Sequence, residues 1–245
     1  LVALTLWLGD KALYRHVPFW NELHRPVWQL DRPTKEELLR GASSGGIAAL
    51  VFLMVFTLSG QFSYLGVVIT SSLGTPVFPL FFLDLLCLSV LILCDEFLFR
   101  HKILRALYSE RHPHLAVVVA SVLHVLGKHV QFPLMPLDYL NLFCLNLAMG
   151  YFYLKSGKVH RGLAFLLSLF IVLHPFAGLP LWGQESPSFF LFKETSRASA
   201  LLAGGGSGPL AGLGLFSILV VFTIGGHYSW KRGAKMPALH GNQLR

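Results

Sequence analysis

Apolar residues along this chain gather in long uninterrupted runs separated by short polar connections. A helix needs about 20 mainly apolar residues to cross the hydrocarbon core of a bilayer. Six runs approach that length: about 42–60, extended toward Thr70 as a tilted helix or outer loop, then 76–99, 115–134, 139–154, 159–181 and 209–228. Residues 1–8 are apolar as well and begin without an initiating Met, as the end of a seventh span or a truncated terminus would. They lack the charged start and small-residue cleavage site of a signal peptide. The pattern predicts an all-α polytopic helix bundle of six to seven spans. It divides into an N-terminal segment 1–41, a transmembrane bundle 42–230 and a basic tail 231–245.

The polar intervals carry their own signals. Residues 10–41 mix charges with Trp20, Trp28, His16, His24 and three prolines, which reads as an interfacial segment with aromatics at headgroup level. Residues 184–208 read as a long outer loop, ending in the run Gly204-Gly205-Gly206-Ser207-Gly208-Pro209. That run is either an anion-binding nest or, more simply, a flexible loop before the last span. No internal repeat is visible.

Composition supports the bilayer reading. Of 245 residues, 54% are hydrophobic and only 13% charged, where a soluble domain carries about a quarter. This argues against a soluble enzyme and against a disordered chain. Three cysteines (Cys87, Cys94, Cys144), all in apolar runs, argue against a disulfide scaffold. The formal charge of +8 is not a nucleic-acid footprint, because 17 of the 20 basic residues fall in alternate connections of the six-span scheme. The exceptions are Lys128, Lys193 and Arg197. Positive charge marks the cytoplasmic side, which assigns residues 10–41, 100–113, 155–161 and the C-terminal tail to the cytoplasm.

Ionisable groups within apolar spans are costly and so are functional candidates by default. They are Asp84, the sequence Asp95-Glu96-Phe97-Leu98-Phe99-Arg100, then His124, Lys128, His129, Asp138 and His174. Glu96 and Arg100 lie four apart and share a helix face, as a helix-end ion pair near lipid phosphates would. His124 and His129 lie five apart, about 140° around a regular helix, so both do not easily serve one site. Asp84 reads as a buried or hydrogen-bonded structural carboxyl. No metal-ligand spacing, Walker loop or G-x-S-x-G occurs.

Several of these pieces, in order, resemble the CPBP family of intramembrane endopeptidases, which includes the CAAX-prenyl proteases. The motif E-E-x-x-F-R stands as Asp95-Glu96-Phe97-Leu98-Phe99-Arg100. The motif F-x-x-x-H on the next helix aligns with Val125 in place of Phe and His129 as the His. A G-x-x-Y-x-x-x-G helix end corresponds to Gly150–Gly157, and the later Leu202–Pro209 is similar to a glycine-rich stretch of bacterial members. Two departures stand out. The third motif, H-x-x-x-N/D, falls on Leu166 and Phe170, with His160 too early and His174 about two turns late. The first Glu of the dyad is Asp95, shorter by one carbon–carbon bond, about 1.5 Å.

The resemblance implies peptide hydrolysis by a carboxylate-activated water. Asp95 or Glu96 would serve as base, His129 would orient the water or hold the oxyanion, and Arg100 would steady the dyad. Candidate substrate contacts are His124, Val125, Asn146 and His174. No cofactor is expected, a divalent metal being left open. The implied partners are membrane lipid and a hydrophobic or membrane-anchored peptide, with no nucleic acid. The implied location is a bacterial inner membrane with the C-terminus in the cytoplasm. The departures at Leu166 and Asp95 motivate a second reading, a catalytically impaired relative acting as a peptide-binding, immunity or scaffold subunit. A carrier using Asp84 and Asp138 is a third, weakened by the lack of an inverted repeat.

Overall fold

A computed structural model describes residues 35–68, 77–108, 111–195 and 198–233. The apolar segment 1–8, most of the interfacial segment and the tail beyond residue 233 lie outside the described residues. Each of the six apolar runs folds as a helix. They are α1 (Lys35–Leu58), α2 (Val77–Asp95), α3 (Pro113–Gln131), α4 (Pro136–Ser156), α5 (His160–Ile171) and, after a separate four-residue α6 (Ala200–Ala203), the last long helix α7 (Leu213–Gly233). α2 does not stop at Asp95. It continues as a nine-residue π-helical stretch, Glu96–Leu104, and a last α turn, Arg105–Leu107.

The helices differ in how they meet the bilayer. Among the described residues four, fewer than the six to seven spans expected, are long and apolar enough to cross a membrane: Lys35–Leu58, Val77–Leu107, Pro113–Gln131 and Leu213–Lys231. The protein is therefore an integral membrane α-helical bundle. α2 buries four of its 19 residues, so most of its surface is left for lipid. α4 buries 13 of 21, including Asp138, Asn141 and Asn146, and is the central post of the bundle. Its polar residues find partners inside the bundle, although Asp138 Oδ1 and Asn141 Oδ1 are left without one. Asn141 donates to the carbonyls of Leu210 (2.5 Å) and Gly212 (3.0 Å), and the Asp138 carboxylate accepts from the Met135 amide at 2.7 Å. α5 spans twelve residues and runs on into a π turn, Val172–Phe176, that carries Pro175.

Small residues bring the helices together. A Cβ on Gly41 would sit 2.3 Å from the Arg161 carbonyl, and one on Gly45 would sit 2.2 Å from that of Phe165. This four-residue spacing lets α1 lie directly on the α5 backbone, the close packing that substitutes for a hydrophobic driving force inside lipid. Gly150 serves α4 in the same way against Val117 of α3.

Two expectations about the connections need correction. The segment after α1 is neither a continued helix nor an irregular loop. Phe62–Val67 (β1) pairs antiparallel with Phe190–Glu194 (β2), with a bulge between Tyr64 and Gly66. Both segments are rich in aromatic and aliphatic residues, which suits a ribbon, and Tyr64 packs between Phe190 and Phe192. The glycine run is likewise packed and not a loose tether. It forms short 3₁₀ turns, Gly205–Ser207 and Pro209–Ala211, with Gly204, Gly205 and Gly208 at positive φ. A Cβ on Gly208 would lie 1.8 Å from the Pro180 carbonyl. Glu194 and Gly205 line the same pocket beside this run.

Candidate active site

The acidic motif lies where α2 changes from α to π geometry, a kind of irregularity that recurs at functional sites. Neighbouring residues on a helix point about 100° apart, so Asp95 and Glu96 diverge. Glu96 turns toward α5. It is 1% exposed, with its Oε1 3.5 Å from an Arg100 Nη, and a Cβ on Gly162 would lie 3.1 Å from its Oε2. The Glu96–Arg100 pair is therefore a fully buried one, not a lipid-facing pair at a helix end.

Asp95 turns toward α3. Its Oδ2 lies 2.6 Å from Lys128 Nζ and 3.7 Å from His124 Nε2. His124 and Lys128 are one turn apart and share the buried face of α3. The His124 ring stacks on Phe99 with centroids 4.4 Å apart and planes within 5°. Its Nδ1 lies against Asn146 Oδ1, which also accepts from an Arg100 Nη, while Asn146 Nδ2 donates to the Leu142 carbonyl at 2.5 Å. Arg100 is the link between the two carboxylates, reaching Glu96 on one side and Asn146 and His124 (3.4 Å) on the other. Two carboxylates and two cations thus share one low-dielectric site, the arrangement in which buried charge is tolerated.

A cavity of about 20 Å³, room for one water, opens among Asp95, Arg100, His124, Lys128 and Asn146. Its apolar wall includes Leu166, Phe170 and Trp182. Trp182 holds a positive φ of 52°, stacks on Phe132 and sets its ring 4.9 Å from Lys128 Nζ.

Most of the sequence-derived candidates converge here. Asp95, Glu96, Arg100, His124 and Asn146 come together. Three do not. His129 lies on the exposed side of α3 and bonds the Tyr139 hydroxyl at 2.8 Å, because five positions along α3 carry it away from the face that His124 occupies. Val125 is buried in the apolar core. His174 does not shift into the site. The π turn directs it to Asp84 (3.7 Å) and to the Leu179 carbonyl (2.8 Å), while Ser186 donates to Asp84 at 2.5 Å. Asp84 is thus the hydrogen-bonded carboxyl expected of it. Lys128, which the sequence marked as an ionisable group without giving it a role, and Trp182, which it did not mark, complete the site. The i, i+4 spacing of His124 and Lys128 was the available signal for the first, and no local pattern pointed to the second. Among the described residues, no three His, Cys, Asp or Glu side chains gather as metal ligands would.

Residues 74–177, which run from the start of α2 through the π turn after α5, match the family described as type II CAAX prenyl endopeptidase Rce1-like. No match is found among curated proteins or among solved structures. The matched stretch contains every charged and polar residue of the buried site, and the likeness supports an intramembrane endopeptidase of the CPBP type.

Proposed function

We propose that this protein cleaves a membrane-anchored peptide near a lipid-modified cysteine of the CAAX type, using Asp95 to activate water. The observation that carries this reading is the 3.7 Å gap between Asp95 Oδ2 and His124 Nε2 beside a one-water cavity. A water there can give its proton to Asp95 while His124 fixes its lone pair toward a scissile carbonyl. The C–O bond forms as the carbonyl π pair moves onto oxygen. Collapse of that adduct breaks the C–N bond, and Asp95 returns the proton to the leaving amine. Glu96 faces away from the cavity, and its role is to hold Arg100, which in turn fixes Asn146 and His124. The reaction uses no cofactor. The basic connections favour a cytoplasmic side for the 100–113 and 155–161 turns, and with them the C-terminus, as in a bacterial inner-membrane protein.

The test is turnover of an internally quenched farnesylated CAAX peptide by the purified protein in lipid vesicles. Asp95→Asn and His124→Ala should each lower kcat/KM by about a hundredfold or more. Wild-type protein that cleaves no such peptide, or an Asp95→Asn protein equal to wild type, overturns the reading. One observation favours a second reading, a non-hydrolysing relative that binds prenylated peptide. Leu166 and Phe170, each 4% exposed, fill the wall where the family's third motif would be polar. That reading expects saturable peptide binding with no cleavage.

A further inference from the structure

His129, the residue expected to hold the oxyanion, faces away from the cavity, and Leu166 and Phe170 offer no donor from α5. Lys128 lies across the same cavity, 2% exposed, on a helix that the third motif does not include. We propose that Lys128 is the oxyanion-binding residue of this enzyme, filling the role that His129 cannot reach. The inference rests on the hydrolytic reading above.

Three features support it. An ammonium has three N–H donors. One goes to Asp95 Oδ2 at 2.6 Å and one to Gln131 Oε1 at 3.3 Å. The remaining contact is with the faces of Trp182 (4.9 Å) and Phe132 (5.5 Å). A ring face attracts a cation far less strongly than a full negative charge does, so an oxyanion arriving at the cavity displaces it readily. Second, Asp95 fixes the ammonium within one hydrogen bond of the water-activating carboxylate, so attack and charge development occur side by side. Third, the cavity is too small for bulk water and walled by Leu166, Phe170 and Trp182, where a preorganised cation counts most toward the transition state. In the addition step, water loses its proton to Asp95 and bonds the carbonyl carbon, and the new alkoxide faces Lys128 Nζ. Lys128 keeps its protons throughout, and the charge it meets vanishes when the C–N bond breaks.

Two properties of Lys128 variants separate this role from one acting only through Asp95. The first is kcat/KM for the quenched farnesyl peptide. The second is affinity for a phosphinate analogue of that peptide, which carries a tetrahedral anionic centre, measured beside affinity for an uncleavable ground-state analogue. Lys128→Met should lose about a hundredfold in kcat/KM and in phosphinate affinity alike, with ground-state affinity unchanged. Lys128→Arg, which keeps the charge, should recover a measurable part of both. Should Lys128→Met fail to fold in detergent, Lys128→Gln carries the same comparison with a neutral donor. Lower turnover with full phosphinate affinity makes Lys128 a support for Asp95 and overturns the proposal. Unchanged turnover overturns it while the hydrolytic reading stands. Wild type that neither cleaves the peptide nor binds the phosphinate overturns both.

Discussion

The Asp95–Lys128 contact makes a prediction about stability that holds whether or not the protein is an active protease. At 2.6 Å, opposite unit charges attract by about 6 kcal/mol with an effective dielectric of 20. Burying both ions offsets most of that gain, so the pair itself adds little net stability. Removing one partner is different. Asp95→Asn leaves an ammonium that is 2% exposed without its counter-ion, which costs about 3–5 kcal/mol. Lys128→Met should cost less, because the remaining carboxylate keeps His124 at 3.7 Å and can take up a proton. The double variant removes both charges and should be more stable than the sum of the singles predicts, by about 2 kcal/mol or more. Reversible unfolding in bicelles, read by tryptophan fluorescence, measures all four corners of the cycle. Additivity within about 0.5 kcal/mol would mean that the two side chains do not share a site in the folded protein, and the geometry argued here would be wrong.

Other outcomes follow from the same geometry. Among the histidines, His129→Ala should leave farnesyl-peptide turnover within about twofold of wild type, because its exposed ring bonds Tyr139 outside the buried site, while His124→Ala should lose about a hundredfold. Equal losses at both positions would return the site to the exposed side of α3. Asn146→Ala strips Arg100 and His124 of a shared acceptor and should lower kcat with little change in KM, on the order of tenfold to a hundredfold, as loss of alignment does. A change confined to KM would argue that Asn146 binds substrate. Two adjacent glycines of α1 form a control pair. Gly45→Ala meets the Phe165 carbonyl at 2.2 Å and should destabilise by about 1–3 kcal/mol. Gly46→Ala has open space and should be neutral or stabilising by up to about 1 kcal/mol. Thermal unfolding in one detergent compares them directly, and equal effects would contradict the α1–α5 contact.

How far the site could be read from sequence depended on whether each signal was local. The six helices were legible as apolar runs, although only four of them among the described residues reach the length and hydropathy that a bilayer demands. The acidic motif was legible because adjacent carboxylates are expensive in lipid and stand out there. What failed was phase. Aligning the F-x-x-x-H pattern by type led to His129, although the motif Phe was already absent at Val125. The helix itself distinguishes the two histidines, because His124 shares its face with the buried Ser121 and Lys128, while His129 shares its face with exposed residues. The ribbon was missed for a related reason. β1 and β2 are more than 120 residues apart, and an edge segment gains its stability only from a partner that local periodicity does not reveal.

Lys128 shows why an intramembrane charge has to be assigned to a partner before it is assigned to a side of the membrane. Counted with Lys193 and Arg197, it looked like a residual exception to the charge rule, a basic residue left near the outer surface. That count treats every lysine as solvated, which at 2% exposure this one is not. The rule that orients the spans concerns charges that cannot be carried through lipid. A lysine neutralised by Asp95 within the bundle is not one of those. Taking it and the equally buried Arg100 out of the tally sharpens the asymmetry of the six-span scheme, leaving 16 basic residues in one set of connections and two, Lys193 and Arg197, in the other. The same step turns the exception into the most informative side chain in the site. A buried cation persists only where something negative faces it, either a permanent partner such as Asp95 or, during turnover, a transient one.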